Sequence, residues 1–259
     1  MLNIMNTFIN SPLDQFENNT LLGIMTPFMN LNHFNITTFT LYTLIVFSII
    51  LLLYMMTNNN NMILGSKWLL SQEMIYDTMI NMIKNQLGGK MWGMYVPLIY
   101  TFFMIILVSN LLSMIPYSYA LMTQFLFVIS MSFMIWLGIT ILGFYKHGLE
   151  FFSLFVPQGT PLVLVPLLVL IEMLSYIMRS LSLGLRLSAN IMAGHLLMVI
   201  LGGMILNIMT INIIYNILGI LPMSIVLAVL LLEFAVGMIQ AYVWCTLMTS
   251  YLKDALFLH

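Results

Sequence analysis

The chain has 259 residues, 62% of them hydrophobic and only 6% charged, with a formal net charge of −1. Soluble domains carry about 25% charged residues, so this composition excludes a soluble enzyme and points to an integral membrane protein of several spans. The single cysteine, Cys245, excludes an intrachain disulfide and a cysteine metal site, and no basic patch argues for nucleic acid.

Residues 1–35 are rich in Asn, carry Asp14 and Glu17, and are broken by Pro12 and Pro27, so they read as an irregular external segment. An apolar run at 36–56 is long enough to cross a hydrocarbon core of about 30 Å, and Asn58 to Asn61 form a polar turn after it. Residues 65–87 differ in character. Trp68, Ile75, Met79, Met82 and Leu87 fall on one helical side and Glu73, Asp77 and Lys84 on another, the pattern of an amphipathic surface helix ended by Gly88-Gly89-Lys90.

Residues 97–144 predict a helical hairpin, with spans at about 97–114 and 121–144 around a turn at 115–119. Residues 145–162 read as a re-entry loop with Pro157, Gly159 and Pro161 as breakers. Two long helices are expected last, within 163–206 and 217–258. From Pro166 to Gly203, and from Pro222 to His259, each reaches about 57 Å at ~1.5 Å per residue, so each tilts steeply, bends or extends beyond the bilayer. The fold class is therefore an all-α polytopic membrane protein: five membrane-embedded helices, the last two long and strongly tilted, plus one amphipathic surface helix.

Five alternating spans place Lys67, Lys84, Lys90, Lys146 and Lys253 on one side and leave the other without Lys or Arg. The basic side is the inner compartment, with the N-terminus outside. The 26 methionines and abundant Asn, Ile and Leu are what AT-rich codons and AUA read as Met would produce, a hint of an organellar genome.

The chemistry concentrates in the first long helix. Glu172, Ser175, Arg179, Ser182, Arg186 and Asn190 recur in steps of three or four, one polar stripe on an apolar helix. No opposite charge stands three or four residues from either arginine, so their partners come from another helix, another subunit or a water-filled crevice. Counting along two antiparallel helices puts His195 and Glu233 at similar depth near the outer side. Glu172 and Asp254 form an inner group, with Arg186 between the groups, and Glu233, Gln240 and Asp254 share one broad face.

Glu and His exchange protons, whereas Arg holds a carboxylate ionised but cannot relay its proton. Two half-paths separated by an arginine describe proton translocation that needs a mobile carrier outside this chain. Three alternatives stand beside it: buried ion pairs that only join helices, a stand-alone secondary transporter with anion-binding arginines, and a membrane scaffold. No internal repeat favours the transporter.

The segments GLRLSANIMAGHLL (184–197), FFSLFVPQGTPLVLVPLL (151–168), NLLSMIPYSYAL (110–121) and YLKDALFLH (251–259) resemble subunit a of mitochondrial F-type ATP synthases, in their fungal, yeast-like branch. The resemblance implies a stator subunit of the Fo sector in the mitochondrial inner membrane, N-terminus in the intermembrane space and C-terminus in the matrix. It implies a c-subunit ring, other Fo and peripheral-stalk subunits and inner-membrane lipid as partners, with no cofactor and no catalysis by the subunit itself. Arg186 matches the essential arginine facing the ring carboxylates. His195 and Glu233 match the intermembrane-space half-channel, to which Gln240 and Asn190 are assigned, and Glu172 and Asp254 match the matrix one. Arg179 matches a supporting arginine on the matrix side. Residues 1–10 correspond to a leader removed in yeast relatives.

Overall fold

The computed structural model describes residues 13–23, 35–57, 67–88, 92–115, 118–156, 164–210 and 219–257. Among these residues six α-helices carry the fold: α1 (Thr38–Thr57), α2 (Lys67–Leu87), α3 (Trp92–Ser113), α4 (Phe125–His147), α5 (Val165–Met209) and α6 (Ile220–Leu256). Five segments are long and apolar enough to span a membrane: α1, α3, residues 125–155 beginning with α4, α5 and α6. The chain is thus an all-α polytopic membrane protein. Helices suit that environment because they satisfy every backbone N–H and C=O within the segment.

Several boundaries differ from the sequence reading, each for a local reason. α3 begins at Trp92 and takes Pro97 inside the helix, forgoing the backbone bond that another residue there would make to the Gly93 carbonyl. α5 continues through Gly202-Gly203 to Met209 and is 45 residues long, about 68 Å at ~1.5 Å per residue. In an apolar setting glycine does not end a helix, because unravelling would leave polar backbone groups unmet. α6 starts at Ile220, with Pro222 in its first turn where a missing N–H costs nothing.

Residues 145–156 are not a loop. α4 runs to His147, Gly148 takes a positive φ of 59°, and a 3-10 helix follows from Gly148 to Phe155. Its burial of Phe151 and Phe155 is what makes it regular. Within residues 13–23 and 35–37 the chain is regular where its composition suggests irregular structure. A 3-10 turn at Asp14–Phe16 leads to an antiparallel ladder of β1 (Thr20–Gly23) and β2 (Asn35–Thr37). The expected leader 1–10, the turn 58–61, Gly89-Lys90, the breakers Pro157, Gly159 and Pro161, and residues 211–218 lie outside the described residues.

The chain divides into two compact units. The first comprises Met1–Tyr54, Ile105–Gln124 and Ala189–Ile239; the second comprises Met55–Met104, Phe125–Ser188 and Gln240–His259. In the first, Val46, Val108, Leu112, Tyr119 and Leu121 form a buried cluster covered by Phe39, Tyr42, Ile45 and Leu107. The Tyr42 and Tyr119 rings meet at 5.7 Å.

In the second unit, α2 buries Met79, Met82, Ile83 and Leu87 and ends at Gly88, whose N–H bonds back to the Lys84 carbonyl at 3.1 Å with φ 60°. Trp68, expected on that same face, is 62% exposed, because the residues that α2 buries all lie in its C-terminal half. Thr249 of α6 donates its hydroxyl to Gln86, and Cys245 sits fully buried with its Sγ 3.8 Å from the Ile99 carbonyl. The end of α6 is capped: Lys146 donates to the Leu256 carbonyl at 2.9 Å, and His147 Nε2 lies 3.1 Å from the same oxygen. An open helix C-terminus is thereby met by the Lys146 ammonium, a cation that its dipole favours.

α5 packs tightly against α4 at Gly184. A Cβ there would lie 2.8 Å from Ser132 Oγ and 3.3 Å from the Ile129 Cα and the Val128 carbonyl. The serine cannot simply swing away without giving up its hydroxyl bond to the Ile129 carbonyl at 2.9 Å. Overpacking of this kind costs about 1–3 kcal/mol. Gly184→Ala should therefore lower the amount of folded chain recovered from membranes, and Gly184→Leu should abolish it, as read by immunoblot of detergent-solubilised material. Parental recovery of the leucine variant would refute the close contact.

Candidate functional site

Among the described residues, two pairs of titratable or charged groups come together on α5 and α6. In the first unit, His195 Nε2 lies 3.6 Å from Glu233 Oε1, with the side chains 11% and 4% exposed. His195 Nε2 and both Glu233 carboxylate oxygens are buried and make no hydrogen bond. The distance is beyond hydrogen-bond range, so the groups face each other with capacity unspent. A buried, under-satisfied carboxylate beside an imidazole is a pair in which either member can carry the proton, since burial penalises any charge left uncompensated.

The local backbone explains the approach. Gly194 precedes His195, and a Cβ at position 194 would stand 2.8 Å from the Cδ and Oε1 of Glu233. The carboxyl occupies the space that any other residue's side chain would take. One turn further along α6, the Gly237 carbonyl accepts a hydrogen bond from buried Asn110 Nδ2 at 3.0 Å, tying α3 to α6 beside the pair. Asn110 Oδ1 is buried without a partner. Leu107, Asn110, Leu111, Met114, Phe234, Gly237 and Met238 line a small recess there.

Phe16, from the segment before α1, reaches this pair. It stands edge-on to His195, ring centroids 6.5 Å apart and planes at 78°. Gln124 Nε2 donates to the Phe16 carbonyl at 2.8 Å, and the Tyr119 hydroxyl donates to Asn18 Oδ1. Burial pushes the Tyr119 phenol up to about 12, so it stays a donor throughout the physiological range.

In the second unit, Arg179 Nη1 lies 3.6 Å from Asp254 Oδ2, with the side chains 45% and 37% exposed. The Arg179 guanidinium also sits 5.6 Å from the Tyr251 ring centroid. A pair so open contributes at most about 1 kcal/mol. Its geometry leaves both groups reachable from outside the chain.

The other predicted residues are not drawn into these pairs. Arg186 is exposed, and among the described residues its side chain forms no ion pair or hydrogen bond. Asn190 is likewise exposed, and Gln240 and Glu172 are half-buried without a side-chain partner among the described residues. Asp254, grouped by depth with Glu172, has Arg179 as its ion-pair partner among the described residues. Among the described residues no cluster of three or more His, Cys, Asp or Glu could hold a metal.

Sequence reasoning passed over Asn110 and Phe16, and read Gly194 only as one of several small residues that let helices approach closely. Asn110 had a signal, a lone amide inside an apolar span, where an unpaired polar group is expensive. Phe16 had none.

The family described as "ATP synthase A chain" matches residues 38–253. The chain is 60% identical over 259 residues to a protein named ATP synthase subunit a of Saccharomyces cerevisiae, covering 100% of both. It is 61% identical over 257 residues to the protein of that name from Eremothecium gossypii, covering 99% of this chain and 98% of the relative. With the Vanderwaltozyma polyspora protein the identity is 63% over 252 residues, covering 97% and 99%.

Gly194→Ala should push the Glu233 carboxyl away by about half an ångström or more, the distance that restores ordinary van der Waals contact. A structure of the variant in its native membrane assembly checks this. An unmoved carboxyl still 3.6 Å from His195 Nε2 would show that position 194 does not set the pair.

Proposed function

The chain belongs to the ATP synthase A chain family, as subunit a of the Fo sector, and from that premise we propose that it carries protons along two offset half-paths that meet at Arg186. Its partners in this reading are the other ATP synthase subunits, foremost a ring of c-subunits each bearing one membrane carboxylate. The subunit makes and breaks no covalent bond, and the proton gradient supplies the free energy.

The observation that carries the reading is the state of Arg186. It is a permanent cation on an apolar helix, exposed, and unpaired among the described residues. A guanidinium in hydrocarbon costs at least about 2.5–3.5 kcal/mol, so its counter-charge has to come from a neighbouring molecule. A carboxylate on a moving ring meets that requirement and leaves again once it is protonated. In the sequence of α5, Arg186 falls between Arg179 and His195, the members of the two ion pairs.

Protons enter from the intermembrane space past Glu233 and His195, with Asn190 and Gln240 along the same route, and neutralise a ring carboxylate. A neutral carboxyl tolerates lipid, so the ring turns. On the far side the carboxyl loses its proton toward the matrix, where Asp254, Glu172 and Arg179 stand. Arg186 holds the ionised carboxylate at the interface and blocks a direct leak, because it does not give up its own proton. The lysine distribution supports an N-terminus in the intermembrane space and a C-terminus in the matrix. The membrane is accordingly the mitochondrial inner membrane.

Arg186→Lys tests the reading. Lysine keeps a positive charge, loses the planar fork and releases its proton when desolvated. Proton-driven ATP synthesis in membranes carrying the assembled variant complex should fall by about 10-fold or more, the loss of one interaction made only at the rate-limiting step. Near-parental synthesis would make Arg186 one replaceable charge among several and sink the two-half-path scheme.

A further inference from the structure

We propose that residues 13–20 form a positioning strap for the His195–Glu233 pair, and that Phe16 is the residue through which the strap holds the imidazole. The inference rests on the proton path proposed above and assigns its outer end a component from the external segment.

The imidazole needs a fixed orientation and has no hydrogen bond at Nε2 to supply it. His195 Nε2 is buried, unpartnered and 3.6 Å from Glu233 Oε1. A rotation of the ring about its own axis would exchange that nitrogen for a carbon and end the facing geometry. Packing is what remains to hold the ring plane, and Phe16 stands edge-on to it at 78° with centroids 6.5 Å apart. Edge-to-face placement presents the positive rim of one ring to the negative face of the other, which resists rotation as well as separation.

Phe16 can do this because the strap is tied down over a few residues. Chain segments near a terminus are poorly ordered unless something holds them. Here the Phe16 carbonyl accepts from Gln124 Nε2 at 2.8 Å, Asn18 accepts from Tyr119, and the Asn19 carbonyl accepts the Thr38 N–H at 3.0 Å. The β1–β2 ladder continues the restraint from Thr20. The anchors come from the segment between α3 and α4 and from the start of α1, all within one compact unit. Such a set of ties on one exposed stretch serves no buried core of its own, since Leu13 is 54% exposed and Leu21 51%. The strap's half-buried aromatic residue is the one directed at the imidazole.

The titratable group facing His195 is Glu233 of α6, and the strap itself carries Glu17, exposed, next to Phe16. Loosening the strap therefore changes how readily the pair exchanges protons with the outer side and leaves the inner pair alone.

The test uses the assembled complex in proteoliposomes. ATP synthesis is measured against outer pH at fixed inner pH and fixed membrane potential, with subunit content checked in parallel. Phe16→Ala should assemble, lower the rate by about 2- to 10-fold, the value of one aromatic pair, and shift the outer-pH profile. Phe16→Tyr should restore both, and the inner-pH profile should stay parental. Gln124→Leu, which releases the Phe16 carbonyl without altering the ring, should shift the outer-pH profile in the same direction, and it decides the matter if Phe16→Ala does not assemble. His195→Ala in the same series separates the two ideas. If it loses synthesis while assembled Phe16→Ala and Gln124→Leu keep the parental profile, the strap is wrong and the path stands. If His195→Ala also keeps the parental profile, the outer half-path itself is wrong, and the strap falls with it.

Discussion

A carboxyl group buried in a membrane helix has to be met by the protein, because hydrocarbon offers it nothing. Glu233 is 4% exposed, and what meets it is an imidazole one residue beyond a glycine. The pairing depends on the absence of a side chain at position 194, where a Cβ would collide with the carboxyl at 2.8 Å. The bond from Asn110 to the Gly237 carbonyl keeps α3 and α6 together one turn away, so the same stretch that accommodates Glu233 is also held in place. A helix contact and a titratable pair are here one feature.

The Arg179–Asp254 pair follows different physics. Its members lie at a similar distance but remain more than a third exposed, so burial does not lock them together. The last turn of α6 that carries Asp254 is fixed instead by Lys146 and His147 on the Leu256 carbonyl. On the proposed reading the contrast is functional. A desolvated pair binds a proton firmly enough to pass it singly, while an open pair returns it to water. Arg186, exposed and without a partner of its own among the described residues, stands in the sequence of α5 between them.

The sequence by itself determined the class of protein, the number of spans and the helices on which the ionisable residues sit. These are local properties. A run of apolar residues in lipid must be helical to satisfy its own backbone, and a constant rise per residue lets depth be counted along antiparallel helices. That counting put His195 level with Glu233, and they lie 3.6 Å apart. Local reasoning failed where polar or breaker residues were weighed by habit. Residues 148–155, read as part of a loop, formed a 3-10 helix because Phe151 and Phe155 had somewhere to pack.

Only the tertiary structure decided the rotation of each helix about its axis and the contacts between segments distant in sequence. Depth does not specify azimuth, so Asp254 met Arg179 and not Glu172. Trp68 shares a helical side with Met79 yet stays exposed, because a stripe is buried only along the length its neighbours cover. The approach of Phe16 to His195, residues far apart in the chain, left no periodic trace at all. It depends on side-chain hydrogen bonds from Gln124 and Tyr119, and such bonds form only after the helices bearing or flanking them have packed.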